Sequence, residues 1–111
     1  MAFFHIPDVY IKGIAACVPK NTVLNESLTH IFPEEELEKV INSVGIKERR
    51  IADADVTASD LCFWAAEKLL NDLKIEKESI DVLIFMSQTG DYIIPATAPI
   101  LQYRLGLREE C

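Results

Sequence analysis

Two histidines and three cysteines are all that the 111 residues offer toward metal or thiol chemistry, and they are scattered. His5 and His30 have no partner at ligand spacing and read as isolated surface or packing residues. Cys17, Cys62 and Cys111 are an odd, widely spaced set with no Cys-x-x-Cys pair. That pattern supports neither a zinc site nor a disulfide framework, so no metal is expected. Positive charge is also scarce: 11 Lys and Arg against 18 Asp and Glu leave a net charge of -7. A nucleic-acid partner needs a basic face, so none is expected. No apolar run approaches the length of a membrane span. The opening MAFFHIPDVYIKG lacks the basic segment of a secretory signal, and Pro7 and Asp8 interrupt its apolar stretch. The expected compartment is therefore the cytoplasm. Repeats, low-complexity tracts and flexible linkers are missing as well.

What is present is a globular composition, 50% apolar and 26% charged, on a chain long enough for one small domain. The run Ile80 to Met86 is β-branched-rich and broken only by Asp81, as in a strand buried on both faces of a covered sheet. Ser87 to Asp91 is a polar break; Tyr92, Ile93 and Ile94 follow in the loop before Pro95, and Ala96 to Leu105 returns to a helical pattern. A buried strand feeding such a loop is a common ligand position in α/β proteins, and equally a common inert connection.

Upstream, Val9 to Val18 reads as a first strand, with Gly13 marking a close backbone approach. Val23 to Phe32 reads as a short helical segment with Asn25 as N-cap. Pro33 suits the first helical position, Glu34, Glu35 and Glu36 complement the helix dipole, and Leu37, Val40, Ile41 and Val44 form one stripe. Gly45 is the expected stop. Ile46 to Asp55 is irregular or a short edge strand; its Lys47, Arg49 and Arg50 face either an anionic ligand or neighbouring acids. Thr57-Ala-Ser-Asp60 is a capping box for a helix whose buried stripe is Cys62, Ala65, Ala66, Leu69 and Leu73, with Trp64 on a flank. Helix followed by buried strand indicates α/β layering. The ending, a helix, a Gly stop and a new apolar residue before Cys111, indicates that another strand is about to begin and that the chain is the first part of a longer one.

Four stretches, in order and covering nearly the whole chain, carry a family resemblance. They are IKGIAACVPKNTVLNESL, VGIKERRIADADVTASDL, IEKESIDVLIFMSQT and DYIIPATAPILQYRLGL. Together they resemble the amino-terminal portion of a β-ketoacyl-acyl-carrier-protein synthase III, a condensing enzyme of the thiolase fold. The resemblance implies an α/β architecture, part of the amino-terminal half of a thiolase-like fold with a mixed sheet covered by helices. Residues 1–111 would form an incomplete portion of that domain.

The resemblance implies an acyltransferase that loads an acyl thioester onto a cysteine and condenses it with malonyl-acyl carrier protein. Its place would be fatty-acid or related lipid biosynthesis. Coenzyme A or carrier-protein thioesters are then substrates, no cofactor is needed, and acyl carrier protein and a second subunit are the partners. The family's catalytic Cys, His and Asn are expected beyond Cys111, leaving no catalytic residue within 1–111. Cys111, Cys17 and Cys62 are read as structural. The family's loop before the matching Pro reaches across the dimer to the partner's acyl pocket, which puts Ile94 in that role. The Trp and Arg with which such enzymes sandwich adenine fall here on Lys39 and Ser43, so the entrance departs from the pattern. Two alternatives remain: a non-catalytic thiolase-fold interaction domain, and an enzyme similar to hydroxymethylglutaryl-coenzyme A synthase.

Overall fold

The computed structural model describes His5 and residues 7–111; residues 1–4 and 6, part of the opening read for a targeting signal, lie outside them. The elements follow in the order β1 (Asn21–Leu24), a 3-10 turn (Asn25–His30), α1 (Glu34–Val44), β2 (Glu48–Ile51), α2 (Ala58–Leu73), a 3-10 turn (Lys77–Ser79) and α3 (Thr97–Leu105).

Among the described residues the paired sheet is one antiparallel pair, β1 against β2, joined through the 3-10 turn and α1, in the register Asn21 to Ile51 and Leu24 to Glu48. This corrects the helical reading of Val23 to Phe32: pairing takes Asn21–Leu24 into a strand, and a 3-10 turn follows. Asn25 does not cap that turn. Its amide donates to Ile46 O at 2.9 Å and accepts from Arg49, so it ties the strand exit to β2. Arg50 donates to Lys20 O at 2.9 Å. Both arginines thus have protein oxygens, not neighbouring acids, as their hydrogen-bond partners.

α1 begins one residue later than expected, with Pro33 as the residue before it, and stops at Gly45 with φ 75°. Of its stripe, Leu37 is buried, Ile41 is half-buried, and Val40 and Val44 are exposed. α2 opens with the expected capping box. Thr57 accepts from the Asp60 N–H, while the Asp60 carboxylate accepts from the Thr57 N–H at 2.8 Å. The stripe on α2 is displaced from the expected one. Cys62 is exposed, correcting its assignment to the core, and Ser59 is the residue with no exposure at all. A Ser at the first turn is buried there because α3 crosses over it; Arg104 of α3 reaches Ser59, Asp60 and the ring of Phe63.

Val9–Val18 and Ile80–Met86 have no ladder partner among the described residues. Both nonetheless alternate in burial with the period of a strand: Gly13, Ala15 and Cys17 inward, Ile14, Ala16 and Val18 outward; Leu83 and Phe85 inward, Ile84 and Met86 outward. The inward side of the first meets α2, where Gly13 lies against Leu69 and Leu73. The second is clipped to the end of α3: Arg108 pairs with Asp81 and donates to Ile80 O at 3.3 Å. The expectation of burial on both faces is met on one only, because no described element covers the other. Ile14 is 82% exposed, Ile84 85% and Met86 92%.

The shape follows. The radius of gyration is 19.0 Å, against roughly 13 Å for a compact domain of this length. The accessible area is 9436 Å², against about 6,200 Å² for a compact monomer of this mass. The core is correspondingly small, with Leu37, Leu101 and Leu105 as its buried apolar residues.

Candidate functional site

The segment from Ser87 to Thr97 leaves the apolar run, carries a polar turn, then projects apolar side chains. Ser87 organises the turn, donating to Thr89 O and accepting from the Thr89 N–H, both at 3.0 Å. Tyr92 is 63%, Ile93 99% and Ile94 85% exposed. The Ile94–Pro95 peptide is cis. Apolar side chains that make so little contact within the chain form a lip, not a packed loop.

The base of the lip is fixed by a polar cluster. Ser59 Oγ donates to the Asp91 carboxylate. The Asp91 N–H donates to Thr97 Oγ1 at 3.2 Å, which closes the loop across the lip. Arg104 donates from Nη1 to Ser59 Oγ at 3.2 Å and from Nη2 to Asp60 Oδ1 at 2.7 Å. The Thr57 N–H, and then Arg104, hold the Asp60 carboxyl below its ordinary pKa, against a smaller opposing effect of desolvation. Sequence reasoning had placed the capping box but missed Ser59, Asp91 and Arg104 as a group. Their contacts span 32 and 45 residues.

Two grooves flank α1. One, about 290 Å³, is apolar and runs between Leu28, Phe32, Val40, Val44 and Ile46. The other, about 410 Å³, is rimmed by Glu26, Glu34 and Glu38 with Lys47 as the single cation, a poor seat for a phosphate-bearing ligand. Lys39 and Ser43, the expected entrance positions, lie one turn apart on the exposed side of α1 and line neither groove. The structure therefore does not gather Lys39, Ser43 and Ile94 into one pocket. Cys17 and Cys111 are half-buried, Cys62 is exposed, and none of the three is in a disulfide. Among the described residues no group of His, Cys, Asp and Glu could hold a metal, and no helix is long and apolar enough to cross a membrane.

Comparison with known proteins gives this geometry a context. No family model matches the chain. Solved structures do. A 3-oxoacyl-(acyl-carrier protein) synthase from Burkholderia xenovorans superposes with a TM-score of 0.81 at 44% identity, over 88% of this chain and 29% of that one. Cerulenin-bound OleA from Xanthomonas campestris superposes at 0.70 and 32% identity, over 89% and 32%. The architecture is that of the amino-terminal part of the thiolase fold that these synthases share. In sequence the chain is similar to proteins named β-ketoacyl-[acyl-carrier-protein] synthase III. It is 41% identical to the protein of that name from Staphylococcus saprophyticus over 100 residues, 90% of this chain and 32% of the relative. To the Fusobacterium nucleatum protein it is 37% identical over 102 residues. The chain thus spans about a third of the length of the curated relatives it matches.

Proposed function

We propose that the chain is the amino-terminal portion of a condensing acyltransferase of the β-ketoacyl-acyl-carrier-protein synthase III type. In that reading the complete enzyme moves an acyl group from a thioester sulfur to a cysteine sulfur. Malonyl-acyl carrier protein then loses CO₂, the resulting carbanion attacks the acyl carbonyl, and the cysteine thiolate leaves. The nucleophilic Cys and its His and Asn lie beyond Cys111, so residues 1–111 carry scaffold and a substrate-facing lip. Acyl carrier protein, a second identical subunit and a cytoplasmic setting belong to the same reading.

The observation that carries it is the joint agreement of sequence and backbone over nine-tenths of the chain, at 44% identity and a TM-score of 0.81. The lip supports the assignment of Ile94 to a partner's acyl pocket: an isoleucine 85% exposed is free to contact an acyl chain outside its own subunit. Lys39 and Ser43 supply no aromatic surface on which an adenine could stack, so the priming thioester is gripped elsewhere or arrives on a carrier protein.

The test is acylation of the natural gene product at full length. Radiolabelled acetyl, butyryl and octanoyl thioesters, on coenzyme A and on carrier protein, are each incubated with it. Label retained on one cysteine and released as a 3-oxoacyl product on adding malonyl-acyl carrier protein is expected. No cysteine labelled by any thioester would favour the non-catalytic interaction domain. Label released only by an acetoacetyl-type acceptor would favour chemistry like that of hydroxymethylglutaryl-coenzyme A synthase.

A further inference from the structure

The lip has almost no contacts of its own, so its position is set at its two ends. Thr97, 5% exposed, is one end, and Asp91 is the other. Asp91 is held through its N–H by Thr97 and through its carboxylate by Ser59, a side chain with 0% exposure. The direction of the second bond is fixed by its neighbours. Arg104 can only donate, so Ser59 Oγ is its acceptor. Thr57 Oγ1 also lies 3.1 Å from Ser59 Oγ, but its own proton goes to Asp60, and in the bond to Asp91 the carboxylate accepts, so the Ser59 hydroxyl is the donor there. The other carboxylate oxygen, Asp91 Oδ1, is buried and has no partner among the described residues. Asp91 therefore stays under the lip on one side-chain hydrogen bond. Remove that donor and the carboxylate is buried without any side-chain partner, a state relieved by turning out to water and carrying Tyr92 with it.

We propose that Ser59 is a positioning residue for substrate selection: by holding Asp91 from below it sets where the Tyr92–Pro95 lip stands, and hence the acyl length that the lip admits. This rests on the acyl-pocket reading of Ile94. Arg104, laid over Phe63 at 4.8 Å and paired with Asp60, keeps the Ser59 hydroxyl aimed.

The experiment uses the full-length protein with Ser59→Ala, Asp91→Ala and Asp91→Asn. Amide exchange across residues 87–97 is read against the α2 peptide, and kcat/KM is measured for acetyl, butyryl and octanoyl thioesters. Ser59→Ala and Asp91→Ala are expected to speed exchange in the 87–97 peptide about tenfold, the loss of one hydrogen bond to a charged group, with α2 unchanged. The octanoyl-to-acetyl ratio of kcat/KM is expected to rise by about tenfold as the lip is released. Asp91→Asn keeps an acceptor oxygen for Ser59 and is expected to leave both readouts near wild type, unlike Asp91→Ala, an outcome that a role of Asp91 through its charge alone would not give. If Ser59→Ala does not fold, Asp91→Ala removes the same bond from the loop side. Unchanged exchange in both alanine variants overturns the proposal. So does faster exchange with an unaltered length preference. A wild-type protein that takes up none of the acyl groups, with exchange still raised in the variants, sinks the acyl reading and leaves the anchor standing.

Discussion

A β-carbon placed on Gly13 would stand 2.5 Å from Leu73 Cδ1 and 3.0 Å from Leu69 Cδ1. The first segment thus crosses α2 with no space for a side chain. Both atoms in the way are the ends of leucine side chains, and Leu73 is 38% exposed, so it has solvent to swing into. Gly13→Ala is expected to cost under about 1 kcal/mol. Gly13→Val, whose two γ-carbons cannot be cleared by one rotation, is expected to cost about 1–3 kcal/mol. Urea unfolding of the two variants checks this; equal losses would mean that the segment moves as a body instead of Leu73.

Two helix ends make a matched pair. Lys74 closes α2 at φ 51° and Gly106 closes α3 at φ 66°, both left-handed. A β-carbon on Gly106 would have nothing within 4 Å, so Gly106→Ala is strained by φ alone. It is expected to cost about 1–2 kcal/mol. Lys74→Gly relieves the same strain and loses part of the gain to the freedom of glycine in the unfolded chain, for a net stabilisation of about 0.5–1 kcal/mol. Thermal melts that move in opposite directions for the two variants are the expected result.

How these elements stood in the sequence follows from the range of the interactions that made them. Gly45, Gly106 and the Thr57–Asp60 box were legible because each is settled within one helical turn. The edge strand within Ile46–Asp55 is legible as one of two readings, but its pairing with β1 is not, because the register joins residues 24 to 30 positions apart and a short Asn-led segment has no local reason to prefer a strand. Cys62 is exposed where the apolar spacing puts it in the core, because spacing alone does not say which neighbours a helix meets. α3 also packs on α2, and it covers the face bearing Ser59 and Phe63. Ile94 was singled out from the sequence as a loop residue with a role outside its own subunit, and its exposure fits that position without testing the role.

Asp60 gives the capping box a pH dependence. Its folded pKa lies below the ordinary 3.8, chiefly through the Thr57 N–H and then through Arg104. A carboxyl depressed on folding stabilises the fold above its unfolded pKa, and that contribution fades as pH falls through the folded value. Asp60→Asn is therefore expected to be less stable than wild type at pH 7, with the gap closing as pH falls below about 4. Thr57→Ala, which removes the other half of the box, is expected to cost about 1 kcal/mol at neutral pH. Denaturant midpoints across the acid range check both; a gap for Asp60→Asn that stays constant down to pH 3 would contradict the assigned cause.

The open face decides how residues 1–111 behave when prepared alone. Ile11, Ile14 and Val18 on one segment and Val82, Ile84 and Met86 on the other are each more than 60% exposed. Neither segment has a ladder partner among the described residues, so apolar side chains and unpaired backbone groups face water together. Both features favour association through the same surface, and the net charge of -7 opposes it only weakly once salt screens it. Sedimentation of residues 1–111 at physiological salt is expected to show oligomers whose size grows with concentration. Ile84→Lys with Ile14→Lys puts charge at two outward positions, 85% and 82% exposed, without touching the inward contacts to α2 and α3. That pair is expected to shift the population toward monomer at unchanged helix content. A wild-type chain that stays monomeric at high concentration would mean that this surface is covered in solution by a rearrangement of the chain itself, and the arrangement of the two segments described above would then be wrong.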